Sequence, residues 1–342
     1  MGRLRRVTCS GPGIARVRRG RGSSYVGPEG VPVTDEATLE RIRALVIPPA
    51  WTDVWICPRE NGHIQATGID DAGRRQYLYH QVWRERQDTA KFRRVEDFAR
   101  RLPAVRREVD RSLKARGMPR DKALACSIRL LDQAFFRIGS EGYAARNGSF
   151  GLATIRKSHV SLEGSTATFD FTAKSGKRRI QVVRDAELMP VLRTMMERTT
   201  GGRELLAYQE NGRWRDLRSG EINDHLKSLA GEEFSAKDFR TWHATVLAAV
   251  EIGGGAEEAT SVTSTRRMIS ATVKTVAEHL GNTPAVCRAS YIDPRVIDRF
   301  EEGITIGQRL ARLEVADDRR GRLRIERAVL DLLGSGTKAA AA

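Results

Sequence analysis

Apolar positions recur at helical spacing in several stretches of the chain, and the longest is DKALACSIRLLDQAFFRIG. One apolar face of this segment is formed by residues spaced four, three and four apart: Leu124, Ile128, Leu131 and Phe135. The pattern predicts a helix that ends at Gly139, a residue type that commonly follows helix C-termini. It also predicts that Arg137 lies at the C-terminus of this helix.

Three further segments show the same periodicity. TDEATLERIRALVIPPAW predicts a short helix with Thr34 as its N-cap, which Pro48 and Pro49 terminate. GRLRIERAVLDLLG predicts an amphipathic helix, and the low-complexity sequence GSGTKAAAA after it is expected to be disordered. The remaining segment, RRMISATVKTVAEHLG, has one apolar face: Ile269, Val273, Val276 and Leu280.

Alternating and β-branched runs predict strands in two other regions. WTDVWICPRENGHIQATGIDDAGRRQYLYH contains short β-prone runs separated by turns at Asn61-Gly62 and at residues 71–73, which favours a small antiparallel sheet. SHVSLEGSTATFDFTAKSGKRRIQVVRD predicts a three-stranded element with glycine turns. Lys174 would lie at the tip of its second hairpin. The glycines at 253–255 are expected to form a linker.

These elements predict an α+β protein with two main parts. A small β-rich N-terminal domain is expected at residues 1–80, and a larger, mainly α domain with the inserted three-stranded element at 81–310. Residues 311–342 would hold a C-terminal helix and a tail. The two main domains would be joined near residues 80–90.

Charge adds a prediction about partners. The 342 residues carry 59 Lys and Arg against 43 Asp and Glu, a net charge of +16, which favours a polyanionic partner such as nucleic acid. The first 22 residues hold seven arginines and no acid, and we interpret them as a flexible arm. Between residues 91 and 120 there are eleven basic and four acidic residues, in a segment that should be helical and could lie along phosphates.

Several kinds of site have no signature in the sequence. No apolar run reaches the length of about 20 residues that a membrane span needs, and no secretory signal begins the chain, so a cytoplasmic protein is expected. The motifs of P-loops, zinc proteases and serine hydrolases are absent, and the four cysteines show no metal-binding spacing. We therefore expect neither a metal nor a cofactor.

Five motifs, in order, resemble those of the type IB DNA topoisomerases of the poxvirus and bacterial kind, which are related in catalytic fold to the tyrosine recombinases. The resemblance runs from about residue 34 to about residue 305. The motifs are GRRQYLYH (73–80), FRIGSEGYAARNGSFGLATIRKSHV (136–160), FDFTAKSGK (169–177), SAKDFRTWHA (235–244) and HLGNTPAVCRASYIDP (279–294). Each motif is weak by itself, and their shared order gives the resemblance its specificity.

The resemblance implies a reversible transesterification in which a tyrosine becomes joined to a DNA 3′ phosphate, without ATP or metal. Tyr291 would be the nucleophile, Arg137 and Arg240 the paired guanidiniums, and Lys174 the general acid. The residue types suit this chemistry, because a phenol with a pKa of about 10 needs cations nearby to gain phenolate character. Without the resemblance, Tyr291 would be read as a packed ring and Arg137 as a helix cap.

Asn282 and Lys237 are two further candidate site residues. Asn282 stands where many members of the family have a histidine, and its amide can donate a hydrogen bond to a phosphate oxygen but cannot titrate. We expect Asn282 to stabilise the transition state rather than to transfer a proton. Lys237, three residues before Arg240, would contact phosphate or assist proton delivery.

The first domain contains candidate DNA contacts within GRRQYLYH. Tyr77 and Tyr79 alternate on a predicted strand and could instead belong to a core, but their cationic and polar neighbours favour contact with DNA. The candidate residues are Arg74, Arg75, Gln76, Tyr77, Tyr79 and His80.

The resulting hypothesis is a nucleoid-associated topoisomerase that relaxes supercoils as a monomer and closes as a clamp around double-stranded DNA. The first alternative is a tyrosine site-specific recombinase, which would act as a tetramer on paired sites. Its usual helical N-terminal domain does not match the β-rich pattern here. The second alternative is a non-catalytic DNA-binding protein of the same fold.

Overall fold

The computed structural model describes residues 3–20, 22–311 and 319–334. It contains 53% helix and 18% strand, which confirms the predicted mixture of a β-rich N-terminal part and a larger helical part. The chain divides into two compact units, Met1–Lys91 and Phe92–Ala342. The domain boundary expected at residue 80 stays a prediction.

The first unit is built on an antiparallel sheet. Its elements are β1 (Ile14–Arg19), β2 (Gly22–Val26), α1 (Glu36–Ala44), β3 (Thr52–Ile56), β4 (Ile64–Ile69) and β5 (Arg75–Tyr79). The strand order is β2-β1-β3-β4-β5, so that β5 is an edge strand. Ile42 of α1 is buried with Ile56 and Ala66 of the sheet, which gives this unit its own core.

The arginine-rich N-terminal segment is not a flexible arm, as its charge had suggested. Residues 14–19 and 22–26 pair as β1 and β2, and β1 also pairs with β3. Arg16 donates to the Pro48 carbonyl at 3.0 Å, and Arg18 donates to the Pro49 carbonyl at 2.8 Å. These guanidiniums therefore hold the loop that follows α1 by donating to its backbone carbonyls.

Helix α1 begins one residue later than predicted. Its N-cap is Asp35, whose carboxylate accepts a hydrogen bond from the Thr38 backbone amide at 2.8 Å. Thr34 lies before this cap. Both residue types favour the position, so the sequence pattern alone could not decide between them.

The second unit is mainly helical. Its helices are α2 (Gln81–Leu113, which begins in the first unit), α3 (Arg120–Gln133), α4 (Glu141–Asn147), α5 (Leu188–Glu197), α6 (Ser219–Ala230), α7 (Ala236–Gly255), α8 (Val262–Leu280), α9 (Pro284–Ser290), α10 (Pro294–Glu301), α11 (Gly307–Leu310) and α12 (Arg319–Gly334). Phe98 of α2 packs edge-on against Phe239 of α7, with ring centroids 4.9 Å apart. The predicted apolar face of α8 is buried. The tail expected to be disordered lies outside the described residues beyond Gly334.

The predicted three-stranded element is present in this unit. Strands β6 (Val160–Glu163), β7 (Thr166–Thr172) and β8 (Arg178–Arg184) pair in the order β6-β7-β8. Alternate residues of β7, Phe169 and Phe171, are buried and pack on Phe136, Phe169 edge-on and Phe171 stacked. The residues on the other face of β7 are more exposed, as the alternation of apolar and polar residues in the sequence predicted.

Two features of this unit were missed. A second hairpin is formed by β9 (Ala207–Glu210) and β10 (Arg213–Asp216), and its turn residues Asn211 and Gly212 both have positive φ. An Asn-Gly pair between short polar and aromatic runs is a hairpin signal that could have predicted it.

The glycines at 253–255 end helix α7 rather than forming a linker. Gly253 lies against the backbone of Gly307 in α11, where a Cβ atom added to Gly307 would begin 2.6 Å from the Gly253 carbonyl oxygen.

A buried ion network fastens α12 to the rest of the second unit. Arg106 of α2 donates to both Asp132 of α3 and Glu326 of α12, with distances of 2.6–2.9 Å. Arg322 of α12 donates to Asp132 at 2.7 Å. Burial raises the pKa of Asp132, but Arg322 and Arg106 hold that pKa well below its ordinary value. The carboxylate is therefore charged and paired at neutral pH.

Removing one partner of this network should destabilise the protein strongly. Glu326→Ala leaves the buried Arg106 guanidinium with one carboxylate instead of two, and we expect a loss of about 3 kcal/mol in the free energy of unfolding. The matched control is Asp331→Ala on the same helix, whose ion pair with Arg309 is exposed and should contribute less than about 1 kcal/mol. Urea denaturation of the three proteins measures both values. Equal effects of the two substitutions would contradict a buried network.

Candidate active site

Tyr291 lies in a short link between two capped helices. Thr283 caps the N-terminus of α9 and Asp293 caps that of α10, so the chain cannot continue as one helix through the tyrosine. The Tyr291 amide donates to the Cys287 carbonyl at 2.9 Å, and its carbonyl accepts from the Thr245 hydroxyl at 3.3 Å. The backbone is thus fixed on both sides, and the ring is half-buried.

The C-terminus of α8 is the structural centre of the site. Gly281 has a φ of +64°, which ends the helix in the left-handed conformation that glycine favours. The Gly281 amide donates to the Glu278 carbonyl and the Asn282 amide to the Ala277 carbonyl, at 3.1 and 3.0 Å. The last carbonyls of the helix form the negative end of its dipole, which attracts cations.

Arg240 of α7 binds this helix end from inside the protein. It is only 3% exposed and donates to the carbonyls of Leu280, at 2.9 Å, and of Phe135. Its guanidinium carbon lies 5.4 Å from the centroid of the Tyr291 ring. Burial and the charge of Arg137 lower the pKa of Arg240 to about 10, so it remains a cation at neutral pH.

Arg137 reaches the same helix end from a different element. The predicted helix is shorter than expected: α3 ends at Gln133, and Arg137 lies in the extended segment that follows. The helix stops because this segment pairs with a later turn, where the Leu152 amide donates to the Arg137 carbonyl at 2.8 Å. The Arg137 side chain donates to the Gly281 carbonyl at 3.3 Å and to the Asn282 side-chain oxygen.

A third arginine, Arg179 of β8, was not identified from the sequence. It donates to the Glu278 carbonyl at 2.7 Å and to the His279 carbonyl. Arg179 is the last of three consecutive basic residues, 177–179, at the beginning of a predicted strand, and only the folded arrangement brings it to α8. Three arginines from three separate segments therefore meet at one helix C-terminus.

The phenol of Tyr291 lies in a cationic environment. Burial raises its pKa, but the charge of Arg240, the Asn282 amide and the charge of Lys237 together bring the pKa below its ordinary value. The side-chain nitrogen of Asn282 is buried and has no acceptor at normal hydrogen-bond length among the described residues. This buried donor therefore faces the phenol, where an incoming oxygen atom would also meet it.

Lys174 and Lys237 occupy exposed positions. Lys174 lies at the tip of the β7–β8 hairpin, as predicted, and makes no hydrogen bond or ion pair with another residue that the structure describes. Lys237 lies in the first turn of α7. The structure thus brings Arg137, Arg240, Asn282 and Tyr291 together, with Lys237 near enough to influence the phenol. Lys174 stands on a loop outside these contacts.

Comparison with known proteins places the chain in a family. Residues 80–312, more than half of the chain, match the model described as "Eukaryotic DNA topoisomerase I, catalytic core". Residues 22–70 match "Bacterial DNA topoisomerase IB, N-terminal domain". The chain belongs to the type IB DNA topoisomerases. It is therefore an isomerase that acts on DNA, and the matches support neither a recombinase nor a non-catalytic binding protein.

Viral topoisomerases are among its relatives. "DNA topoisomerase 1B" of Acanthamoeba polyphaga mimivirus is 28% identical over 269 residues, which cover 77% of this chain and 80% of the viral protein. "DNA topoisomerase 1B" of Vaccinia virus (strain Copenhagen) is 20% identical over 281 residues, which cover 79% of this chain and 85% of the viral protein. "DNA topoisomerase I" of Monkeypox virus has the same identity and coverage.

In this type IB enzyme, the candidate DNA contacts of the first unit lie on and beside the edge strand β5. Tyr77 and Tyr79 are 42% and 40% exposed and stack with ring centroids 6.0 Å apart. Arg75 shares their face and pairs with Asp53 at 3.0 Å. The alternative that both tyrosines belong to the core is therefore wrong.

The other three candidates, which lie on and beside this strand, have local partners. Arg74 and Gln76 both donate to Asp70, at 3.0 and 2.9 Å. The His80 ring accepts from the Val82 amide at 3.1 Å, at the beginning of α2. These contacts hold the turn before β5 and the helix after it, so the exposed face between them has a fixed backbone.

The described residues show two further features. No three of their His, Cys, Asp or Glu side chains gather in a way that could hold a metal ion. None of the helices among residues 3–20, 22–311 and 319–334 is long and apolar enough to cross a membrane.

The low pKa of the Tyr291 phenol of this topoisomerase can be measured without DNA. An ultraviolet difference titration between the wild type and Tyr291→Phe isolates this phenol, and we expect an apparent pKa below that of an ordinary tyrosine. Because the phenolate is the charged form, removing a nearby cation should raise the pKa. Lys237→Ala should therefore move the titration to higher pH. The described environment would be contradicted if the wild-type phenol titrated with an ordinary tyrosine pKa and Lys237→Ala did not change that pKa.

Proposed function

We propose that Tyr291 is the nucleophile with which this type IB topoisomerase cuts one strand of duplex DNA. The observation that carries the proposal is the position of its half-buried phenol beside Arg240 and Asn282, where its pKa is lowered. A phenol becomes an effective nucleophile at neutral pH only where its surroundings favour the phenolate. The phenol loses its proton to solvent, and its oxygen attacks the phosphorus atom of the scissile phosphodiester.

Arg137 and Arg240 stabilise the charge that builds on the non-bridging oxygens. Each guanidinium has five N–H donors, and the carbonyls at the end of α8 engage only some of them. The remaining donors are held rigidly, which is the condition for strong electrostatic stabilisation of a transition state. The buried amide nitrogen of Asn282 beside the phenol supplies a further donor. It cannot transfer a proton, so its role is hydrogen bonding alone.

The leaving group is the 5′ oxygen. As the bond between phosphorus and this oxygen breaks, Lys174 donates a proton to the oxygen, and a 5′ hydroxyl end is released. The exposed position of Lys174 on a hairpin tip suits a group that must reach into bound DNA. Lys237 contacts phosphate or assists proton delivery. After the free strand has rotated, the 5′ hydroxyl attacks the phosphotyrosine and every role is reversed.

The first unit would contact DNA through β5 and its neighbours. Arg75, Tyr77 and Tyr79 form the exposed face that meets bases or sugars, while Arg74, Gln76 and His80 support this face and reach phosphates. The net charge of +16 supports a polyanionic substrate throughout. A monomer that closes on duplex DNA as a clamp suffices, since one strand is cut at a time. We place its action on the nucleoid in the cytoplasm.

The proposed reaction is tested by relaxation of plasmids of either supercoil sign in EDTA and without ATP. We expect both to be relaxed, and we expect a 5′-labelled duplex to yield a covalent protein adduct that retains the label. The released strand should carry a 5′ hydroxyl that polynucleotide kinase can phosphorylate. An adduct on the 5′ side would contradict the proposal. Exchange of strands between two duplexes without relaxation would indicate recombination instead.

A further inference from the structure

We propose that Arg179 is a positioning residue that fixes the Lys174 hairpin to the C-terminus of α8 and so sets the geometry of proton delivery. The inference rests on the function proposed for Lys174. It concerns a residue that has no part in the covalent chemistry. Arg179 joins the segment that carries the proton donor to the segment that carries Asn282.

The contacts of Arg179 bridge these two segments. It lies on β8, five residues after Lys174, and its guanidinium donates to the carbonyls of Glu278 and His279 in the last turn of α8. Gly281 packs against the same guanidinium, because a side chain added there would begin 3.2 Å from its Nη1 atom. Asn282 follows directly. The anchored carbonyl of His279 therefore lies three residues before Asn282, whose amide faces the Tyr291 phenol.

The hairpin tip itself is internally bonded. The Ala173 amide donates to the Lys177 carbonyl at 2.8 Å, and the Gly176 amide donates to the Ala173 carbonyl at 3.1 Å. Ser175 adopts a φ of +67° inside this turn. A turn closed in this way moves with the strands that carry it. The position of Lys174 relative to Tyr291 is thus decided by what holds both strands. Phe169 and Phe171 pack β7 on Phe136, and Arg179 ties β8 to α8.

Charge supports the same arrangement. Burial and the charge of Arg137 lower the pKa of Arg179, as expected where guanidiniums gather. The carbonyl end of α8 offsets this repulsion, because its dipole is favourable for cations. Arginine suits the task since its planar fork contacts two carbonyls at once, whereas the ammonium of lysine is a single point.

A specific consequence follows for the reaction. If Arg179 places Lys174, its loss should impair only the step that needs the Lys174 proton. A substrate with sulfur in place of the bridging 5′ oxygen removes that need, because a thiol with a pKa of about 8.5 leaves as the thiolate. Such a substrate therefore separates proton delivery from attack and from phosphate binding.

The experiment measures single-turnover cleavage of the ordinary and the 5′-sulfur duplex. For Arg179→Ala we expect a loss of about 100-fold on the ordinary duplex, the usual effect of misplacing a catalytic group by about 1 Å. On the sulfur duplex its rate should lie within about threefold of the wild type. Arg179→Lys keeps the positive charge and a single donor nitrogen, so it should cleave the ordinary duplex at least about tenfold faster than Arg179→Ala. The matched control is the neighbouring Arg178→Ala, which breaks only an exposed ion pair with Asp170 and should change neither rate by more than about threefold.

Two results would overturn the inference. One is an equal loss on both substrates, which would mean that Arg179 supports the site as a whole. The other is unchanged cleavage of the ordinary duplex by Arg179→Ala. Lys174→Ala is tested in parallel, and its cleavage rate should also be restored on the sulfur duplex. If the sulfur duplex did not restore cleavage by Lys174→Ala, the role of Lys174 itself would be refuted. That result is distinguishable from a failure of the inference about Arg179.

Discussion

Tyr291→Phe should form no covalent adduct with DNA, and its cleavage rate should fall by roughly 10⁵-fold or more, since removing an attacking oxygen leaves no nucleophile. Phenylalanine keeps the ring that packs beside Arg240 and loses only the hydroxyl. The link between α9 and α10 is held by backbone contacts to Cys287 and Thr245, which this substitution does not touch. The fold should therefore be preserved.

The control for this variant is its affinity for DNA. Because the phosphate contacts remain, Tyr291→Phe should bind duplex DNA within about threefold of the wild type and with the same salt dependence. The combination of intact binding and absent cleavage identifies a chemical role. Relaxation by Tyr291→Phe at more than about a hundredth of the wild-type rate would show that another residue attacks the phosphate.

Arg240→Ala should lower single-turnover cleavage by about 10³-fold, the upper range for loss of one preorganised donor to a developing anion. The loss combines two effects. The cation beside the phenol disappears, and the carbonyls of Leu280 and Phe135 lose a buried donor. Arg240→Lys should recover only part of the rate, because an ammonium cannot reach both carbonyls and a phosphate oxygen together.

A second measurement separates this role from general damage to the fold. Since the Arg240 charge lowers the pKa of Tyr291, its removal should raise that pKa in the ultraviolet titration. The shift should be larger for Arg240→Ala than for Arg240→Lys, which keeps the charge. Cleavage by Arg240→Ala within tenfold of the wild-type rate would contradict the proposed role.

The elements that the sequence predicted correctly are those with local signals. The buried face of α8 follows from apolar spacing alone, and the β6–β8 element follows from alternation between glycine turns. The tip position of Lys174 follows from the same turn chemistry. In these cases the residues that decide the structure are close neighbours in the chain.

The features that the sequence did not predict depend on distant contacts. Arg16 and Arg18 looked like part of a free basic arm, but their guanidiniums bind carbonyls of Pro48 and Pro49. The early end of α3 is set by pairing with residues 151–154, and the place of Arg179 by a helix about 100 residues later. The spacing of residues within one segment does not indicate which distant residues the segment will contact.

The central claim is tested most directly by mapping the covalent bond. The adduct of the wild type with a duplex substrate would be trapped, digested with trypsin and nuclease, and analysed by tandem mass spectrometry. Trypsin should release residues 289–295, a peptide with Tyr291 as its single tyrosine. We predict a 3′-linked nucleotide on Tyr291. A nucleotide on any other residue, or one joined through its 5′ phosphate, would contradict the account.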